Sequence, residues 1–233
     1  DLIRSGKIAA FVVAGGQGTR LGWKGPKGTY PATVITGKPL FRVFAEQIVA
    51  ANRKYGVSIP WYVMTSPLND ADTRSFFRDN NWFGLDERDV FLFPQGTMPS
   101  IDPAGKLLLE DKHTIAVNPD GHGGALRALR ASGAVEDMQA RGIEHLSYFQ
   151  VDNPLVRIID PEFLGLHATH ADSSGEMSSK MVAKRDAGEK VGVFCRVAGK
   201  TRVLEYSDLP AGISQATDPD GRLRFCAGSI AIH

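Results

Sequence analysis

The residues with the clearest chemical meaning are Ala14-Gly15-Gly16-Gln17-Gly18-Thr19-Arg20-Leu21-Gly22, followed shortly by Pro26-Lys27-Gly28. They come directly after the apolar run Phe11-Val12-Val13. Glycines let backbone N–H groups approach phosphate oxygens with no Cβ in the way, and a cluster at the carboxyl end of a strand is where open α/β sheets bind ligands. Arg20 and Lys27 set two cations beside the glycines, which suits a triphosphate better than a nicotinamide cofactor. The spacing excludes the dinucleotide fingerprint, because Leu21 stands where a third glycine is needed, and the Gly-Lys-Ser/Thr ending of a P-loop is missing. On these residues alone, a tight turn flanked by solvated charges remains an equal alternative.

Asp152 ends the strand-like run 145–151 and precedes Asn153-Pro154. A lone carboxylate there suits Mg²⁺ completed by waters and phosphate oxygens, or else caps the following turn. Gly121-His122-Gly123-Gly124 opens a helix, so its free N–H groups offer a second anion or carbonyl site. No nucleophile accompanies His122. The other histidines, His113, His145, His167, His170 and His233, show no metal-ligand spacing; His167 and His170 are three apart but have no matching partner.

The elements that position these residues follow from periodicity. Residues 7–14 read as a buried parallel strand. Phe41, Phe44, Ala45, Ile48 and Val49 keep helical spacing from Leu40, and Gly56 suits a left-handed cap. Residues 59–65 and 90–93 read as strands around a short helix at 71–79. A helix opened by Gly121 runs through Arg130, another ends near Gly142, and the Asp160-Pro161 pair starts one over 162–170. Residues 177–184, 191–198 and 201–206 read as antiparallel strands added to the sheet. The expected fold is therefore α/β: a doubly wound, mixed, mostly parallel sheet with antiparallel strands in the C-terminal part. One domain over 1–233 is expected, trimmed at both ends from something longer.

Composition limits function. With 27 basic and 26 acidic residues among 233, the chain lacks the charge footprint of a nucleic-acid binder. The apolar runs are strand-sized and too short to span a membrane. Two scattered cysteines, Cys195 and Cys226, fit neither a disulfide framework nor a zinc site, and suit the cytoplasm.

The string Gly-Gly-Gln-Gly-Thr-Arg-Leu-Gly with Pro-Lys-Gly resembles the signature of the UDP-sugar pyrophosphorylases, most closely the UDP-N-acetylhexosamine pyrophosphorylases. Residues 61–66, Gln95-Gly96, Pro119-Asp120-Gly121, Val151-Asp152-Asn153, Val191-Gly192-Val193 and Glu205-Tyr206-Ser207 extend the likeness along the chain. The resemblance implies a nucleotidyltransferase fold, UTP and a sugar 1-phosphate as substrates, a UDP-sugar and pyrophosphate as products, and Mg²⁺ as cofactor. It implies that Ala14, Gly15, Gly16 and Gly18 hold the nucleotide and that Arg20 faces the departing pyrophosphate. Lys27 then lies beside the α-phosphate, and Asp152 holds the metal. Gln95 would read the uracil amide edge, Gly121 and His122 would contact uridine, and Gly192, Glu205 and Ser229 would contact the sugar.

Two positions depart from the hexosamine pattern. His122 and Ser229 stand where those enzymes commonly carry Asn, and a His at the first resembles the UDP-glucose enzymes. The later segment with a second phosphate-binding lysine is expected to lie beyond residue 233. The main expectation is UDP-N-acetylglucosamine synthesis. The alternatives are a UDP-glucose or broad UDP-sugar enzyme, or a fragment that binds UTP or a UDP-sugar without turnover. A glycosyltransferase of similar sheet would carry paired aspartates, and Asp152-Asn153 lacks the second.

Overall fold

Five consecutive apolar residues between Ile8 and Val12 are buried, and they form strand β1 (Ile8–Val13). Helix α1 (Leu40–Tyr55) follows, burying Leu40, Phe41, Phe44, Ala45, Ile48 and Ala51 at three- and four-residue intervals. It ends where Gly56 takes φ 69° and donates its N–H to Asn52 O, the left-handed cap expected from the sequence. Strand β2 (Trp61–Thr65), helix α2 (Asp70–Asp79) and strand β3 (Val90–Pro94) complete a βαβαβ series. The structure, a computed structural model, describes residues 1–233, the side chain of Ala211 excepted.

Next comes an antiparallel arm for which the sequence reading assigned no element. Strands β4 (Thr97–Pro99) and β5 (Val117–Pro119) pair with Met98 opposite Asn118, and bridges continue at Ile101–Leu107 and Leu109–Ile115. Its apolar residues are exposed, so no buried face imposed the alternation that makes a strand legible. Helices α3 (Ala125–Ala131) and α4 (Ala134–Ala140) then lead to β6 (His145–Gln150).

The four parallel strands are ordered β3-β2-β1-β6. From β1 the chain winds outward through β2 to β3, then returns to place β6 on the opposite side of β1. Alternation along the strands covers both faces. Ala9, Phe11, Tyr62, Met64 and Phe93 pack with Ala125, Ala128, Leu129, Ala134 and Met138 of α3 and α4. Trp61 and Phe149 point the other way, to Phe41 and Phe44 of α1 at ring distances of 6.2 and 5.2 Å. Each fully buried side chain of this size stabilises the fold by roughly 1.5–3 kcal/mol. The sheet is doubly wound, as expected.

Within the span read as one domain, the chain divides into two compact units, Asp1–Pro161 and Glu162–His233. After α5 (Pro161–Thr169), the second unit holds β7 (Met181–Ala183), β8 (Val193–Val197), β9 (Lys200–Leu204) and β10 (Ala227–Ser229), ordered β7-β10-β8-β9. The antiparallel strands expected in the C-terminal part are present, and they form a sheet of their own rather than extending the parallel one. β10 lies between β7 and β8 and pairs with both, joining the β8–β9 hairpin to β7. Ala198 and Gly199, at φ 50° and 78°, make the two-residue hairpin loop between β8 and β9. No helix among the described residues is long and apolar enough to cross a membrane.

Candidate active site

In an open parallel sheet the crevice forms where the winding direction reverses, at the carboxyl ends of the strands. Here that place lies between β1 and β6, whose last residues, Val13 and Gln150, are register partners. A cleft opens there. Val13, Gly15 and Gly16 line it from the end of β1, Gln150, Val151 and Asp152 from the end of β6, and Gln95 from the end of β3. Lys27, Pro119, Gly121 and His122 complete it.

The glycine loop is held by the backbone. Lys27 N donates to Gly16 O at 3.0 Å and Gly18 N to Gly25 O at 2.9 Å, which folds residues 16–27 back on themselves. Asn69, buried between β2 and α2, pins the loop from below: its Nδ2 donates to Ala14 O and Gly16 O at 3.3 and 3.4 Å, while its Oδ1 accepts from Ser66 N. The sequence reading missed Asn69. A lone Asn before a helix looks like a cap, and only the fold brings it to a loop 53 residues away.

Close approach explains the glycines. A Cβ on Gly15 would stand 2.7 Å from Gln95 Nε2 and 3.1 Å from Thr65 O, so the bare backbone is what admits the Gln95 amide. A Cβ on Gly18 would strike Trp23, and one on Gly28 would strike Phe41. Gly96 and Gly124 leave space for the Asp120 carboxylate, whose Oδ1 is buried with no hydrogen-bond partner.

Charge in the cleft is concentrated in one pair. Lys27 Nζ donates to Asp152 Oδ2 at 3.0 Å, with side-chain exposures of 22% and 51%. Arg20 lies exposed on the turn Thr19–Leu21 and is absent from the cleft wall, so the structure does not bring it to Lys27. Among the described residues no three His, Cys, Asp or Glu side chains gather to hold a metal. A half-exposed lone carboxylate does fit Mg²⁺, which is ordinarily held by one or two carboxylates together with phosphates.

His122 sits on a turn at His122–Gly124, with Tyr148 Oη hydrogen-bonded to its Nδ1 and Gln150 Nε2 at 2.6 Å from its Nε2. Burial pushes the Tyr148 phenol up to about 12. Neither Tyr148 nor Gln150 was singled out from the sequence, where both read as strand residues.

In the second unit, Gly192, Glu205 and Ser229 come together. Ser229 N donates to Gly192 O at 2.7 Å, and a Cβ on Gly192 would lie 3.3 Å from Glu205 Oε1. Three residues from three segments therefore share one patch, with Gly192 buried and Glu205 exposed.

Comparison with known proteins gives one consistent result. The chain is 40% identical over 237 residues to UDP-N-acetylhexosamine pyrophosphorylase-like protein 1 of Xenopus tropicalis, covering 99% of this chain and 46% of that protein. It is 39% identical over 237 residues to UDP-N-acetylglucosamine pyrophosphorylase of Saccharomyces cerevisiae, covering 100% and 49%. The chain thus spans about half the length of the curated relatives it matches. The crystal structure of the uridine diphosphate N-acetylglucosamine pyrophosphorylase from Trypanosoma brucei, in complex with inhibitor, superposes with a TM-score of 0.86 at 31% identity, covering 99% of this chain and 47% of that one. A sequence model of the family described as UTP–glucose-1-phosphate uridylyltransferase matches residues 3–233, and the chain belongs to that family.

Proposed function

We propose that this chain is the nucleotide-binding part of a uridylyltransferase that joins UTP to a sugar 1-phosphate, N-acetylglucosamine 1-phosphate first, and releases pyrophosphate. The observation that carries this reading is the Lys27–Asp152 pair beside a glycine loop at the switch point of the sheet. The names of the relatives support the substrate.

In the reaction a phosphate oxygen of the sugar 1-phosphate attacks the α-phosphorus of UTP. One P–O bond forms, the bond to the β-phosphate bridge breaks, and pyrophosphate leaves with the electron pair. Such a transfer calls for alignment and charge neutralisation rather than a covalent intermediate. Gly15 and Gly16 hold phosphate through backbone N–H groups, whereas Gly18, expected to do the same, has its N–H committed to Gly25 O and shapes the loop instead; Lys27 turns from Asp152 to the α-phosphate. Gln95, with an acceptor and donors on one amide, pairs with the uracil edge. Asp152 is the residue that would hold Mg²⁺, which when bound would neutralise phosphate charge. Arg20 meets the pyrophosphate only if its turn moves. Gly192, Glu205 and Ser229 contact the sugar. The two free cysteines are in keeping with a cytosolic setting.

His122 and Ser229 favour a second reading, a UDP-glucose or broad UDP-sugar enzyme. Calorimetric titration with UTP, UDP-N-acetylglucosamine and UDP-glucose, combined with an assay for pyrophosphate release, tests both. Binding of UTP and tighter binding of the N-acetylated sugar are expected. Preference for UDP-glucose promotes the second reading, and no binding of any uridine nucleotide defeats both.

A further inference from the structure

Strand β6 alternates, so Tyr148 and Gln150 project from one face while Phe149 projects from the other toward Phe44. Tyr148 packs edge-on against Phe11, ring centroids 5.3 Å apart, and Gln150 reaches the cleft. His122 lies across both. An amide nitrogen carries hydrogens and no lone pair for a hydrogen bond, so at 2.6 Å Gln150 Nε2 donates and His122 Nε2 accepts. The neutral ring then carries its proton on Nδ1, which donates to Tyr148 Oη. Because burial raises the phenol to about 12, that oxygen belongs to a hydroxyl and not a phenolate at neutral pH. Lys27 and Asp152, which face the same cleft, are already committed to each other.

We propose that Tyr148 and Gln150 are positioning residues that hold the His122 ring in the tautomer protonated on Nδ1, leaving the Gln150 side-chain oxygen to accept from an N–H or hydroxyl of a nucleotide in the cleft. The ligand half of this inference rests on the nucleotide reading of the site; the ring half does not. With its amide nitrogen occupied, Gln150 acts toward a ligand as an acceptor only. Gln95 and Gln150, at the ends of β3 and β6, thereby present two amides to one ligand with different freedom to rotate.

The test uses ¹⁵N-labelled protein in alkaline buffer, where imidazoles are uncharged. A long-range ¹H–¹⁵N spectrum reads the ring tautomers, and the His122 signal is assigned by its loss in His122→Asn. The expected wild-type pattern has the proton on Nδ1. Gln150→Glu, which has no N–H to donate, should move the proton to Nε2, whereas Tyr148→Phe, which keeps the ring packed on Phe11 and leaves the Gln150 donor in place, should keep it on Nδ1 and shift that nitrogen's signal as its acceptor is lost. UDP, followed by calorimetry, should bind Tyr148→Phe about 3–10-fold more weakly, the scale of one hydrogen bond. A wild-type ring protonated on Nε2, or spectra unchanged in both variants, overturns the positioning role. A wild-type ring protonated on Nδ1 in a protein that takes up no UDP supports the positioning role and overturns the nucleotide reading. Unchanged UDP affinity in Tyr148→Phe, with the Nδ1 signal shifted, overturns the ligand half.

Discussion

Lys27 Nζ lies 3.0 Å from Asp152 Oδ2, joining the loop after β1 to the end of β6 across 125 residues of sequence. Both side chains reach solvent, so the pair is worth only about 0–1 kcal/mol and yields readily to a ligand. Asp152→Asn should therefore change stability by less than about 1 kcal/mol, yet remove the Mg²⁺-dependent part of UTP binding. Urea unfolding and Mg²⁺ titrations of UTP affinity check the two halves, and an unaltered Mg²⁺ dependence would return Asp152 to a turn-capping role.

Lys27→Met removes a cation that the proposal turns toward phosphate. A hydrogen bond to a charged group contributes roughly 1.5–3 kcal/mol, or about 10–150-fold in affinity. UTP should lose that much while uridine, which has no phosphate, loses little. Equal losses for both ligands would place the lysine's effect elsewhere.

Gly15→Ala brings a methyl group to 2.7 Å from Gln95 Nε2 and 3.1 Å from Thr65 O. The glutamine can swing away but the carbonyl cannot, so the expected cost is about 1–3 kcal/mol, the usual range for overpacking. Discrimination of UTP over CTP should fall with it as Gln95 is displaced. Retained stability and retained base preference, measured by urea unfolding and calorimetry, would count against the close-approach account.

Asn69→Ala leaves Ala14 O and the Ser66 N–H without a partner, while Gly16 O keeps the Lys27 N–H. Buried unsatisfied groups cost roughly 1–3 kcal/mol, and the glycine loop should exchange its amide hydrogens faster. Hydrogen exchange at residues 14–18 separates this from a general loss of stability, in which protection would fall evenly across the sheet.

Tyr62 Oη donates to Asp137 Oδ2 at 2.6 Å, and burial first, then Asp137, holds its phenol well above the ordinary range. The folded value exceeds the unfolded one of about 10, so this stabilisation is present below about pH 10 and is lost as pH rises above it. Wild-type stability should fall more steeply above about pH 10 than that of Tyr62→Phe. Parallel pH profiles of the two, by chemical unfolding, would remove Tyr62 from the account.

Ser229 offers a short hydroxyl, while buried Gly192 leaves room beside Glu205. A preference of UDP-N-acetylglucosamine over UDP-glucose worth about one hydrogen bond, ~0.5–1.5 kcal/mol, is expected, which is only several-fold in affinity. Side-by-side titrations decide it; a preference of a hundredfold would mean that other groups choose the sugar.

The elements whose burial is periodic could be read directly from the residues. Residues 8–13 are apolar without interruption because a central parallel strand is covered on both faces, and Phe41, Phe44 and Ile48 recur at helical spacing because one side of α1 meets the sheet. The glycine loop was legible for the same local reason, since steric freedom is a property of the residue itself. Which distant groups meet depends instead on how the strands are ordered and packed. The order β3-β2-β1-β6 brings Asp152 to Lys27, and the turn at Gly121 lays His122 over Tyr148 and Gln150. Asn69 reaches Gly16, and β10 closes a separate sheet, through contacts of the same kind. Such pairings depend on strand order and crossover direction, which are set by packing across the whole sheet, whereas periodicity records only whether a residue faces the core.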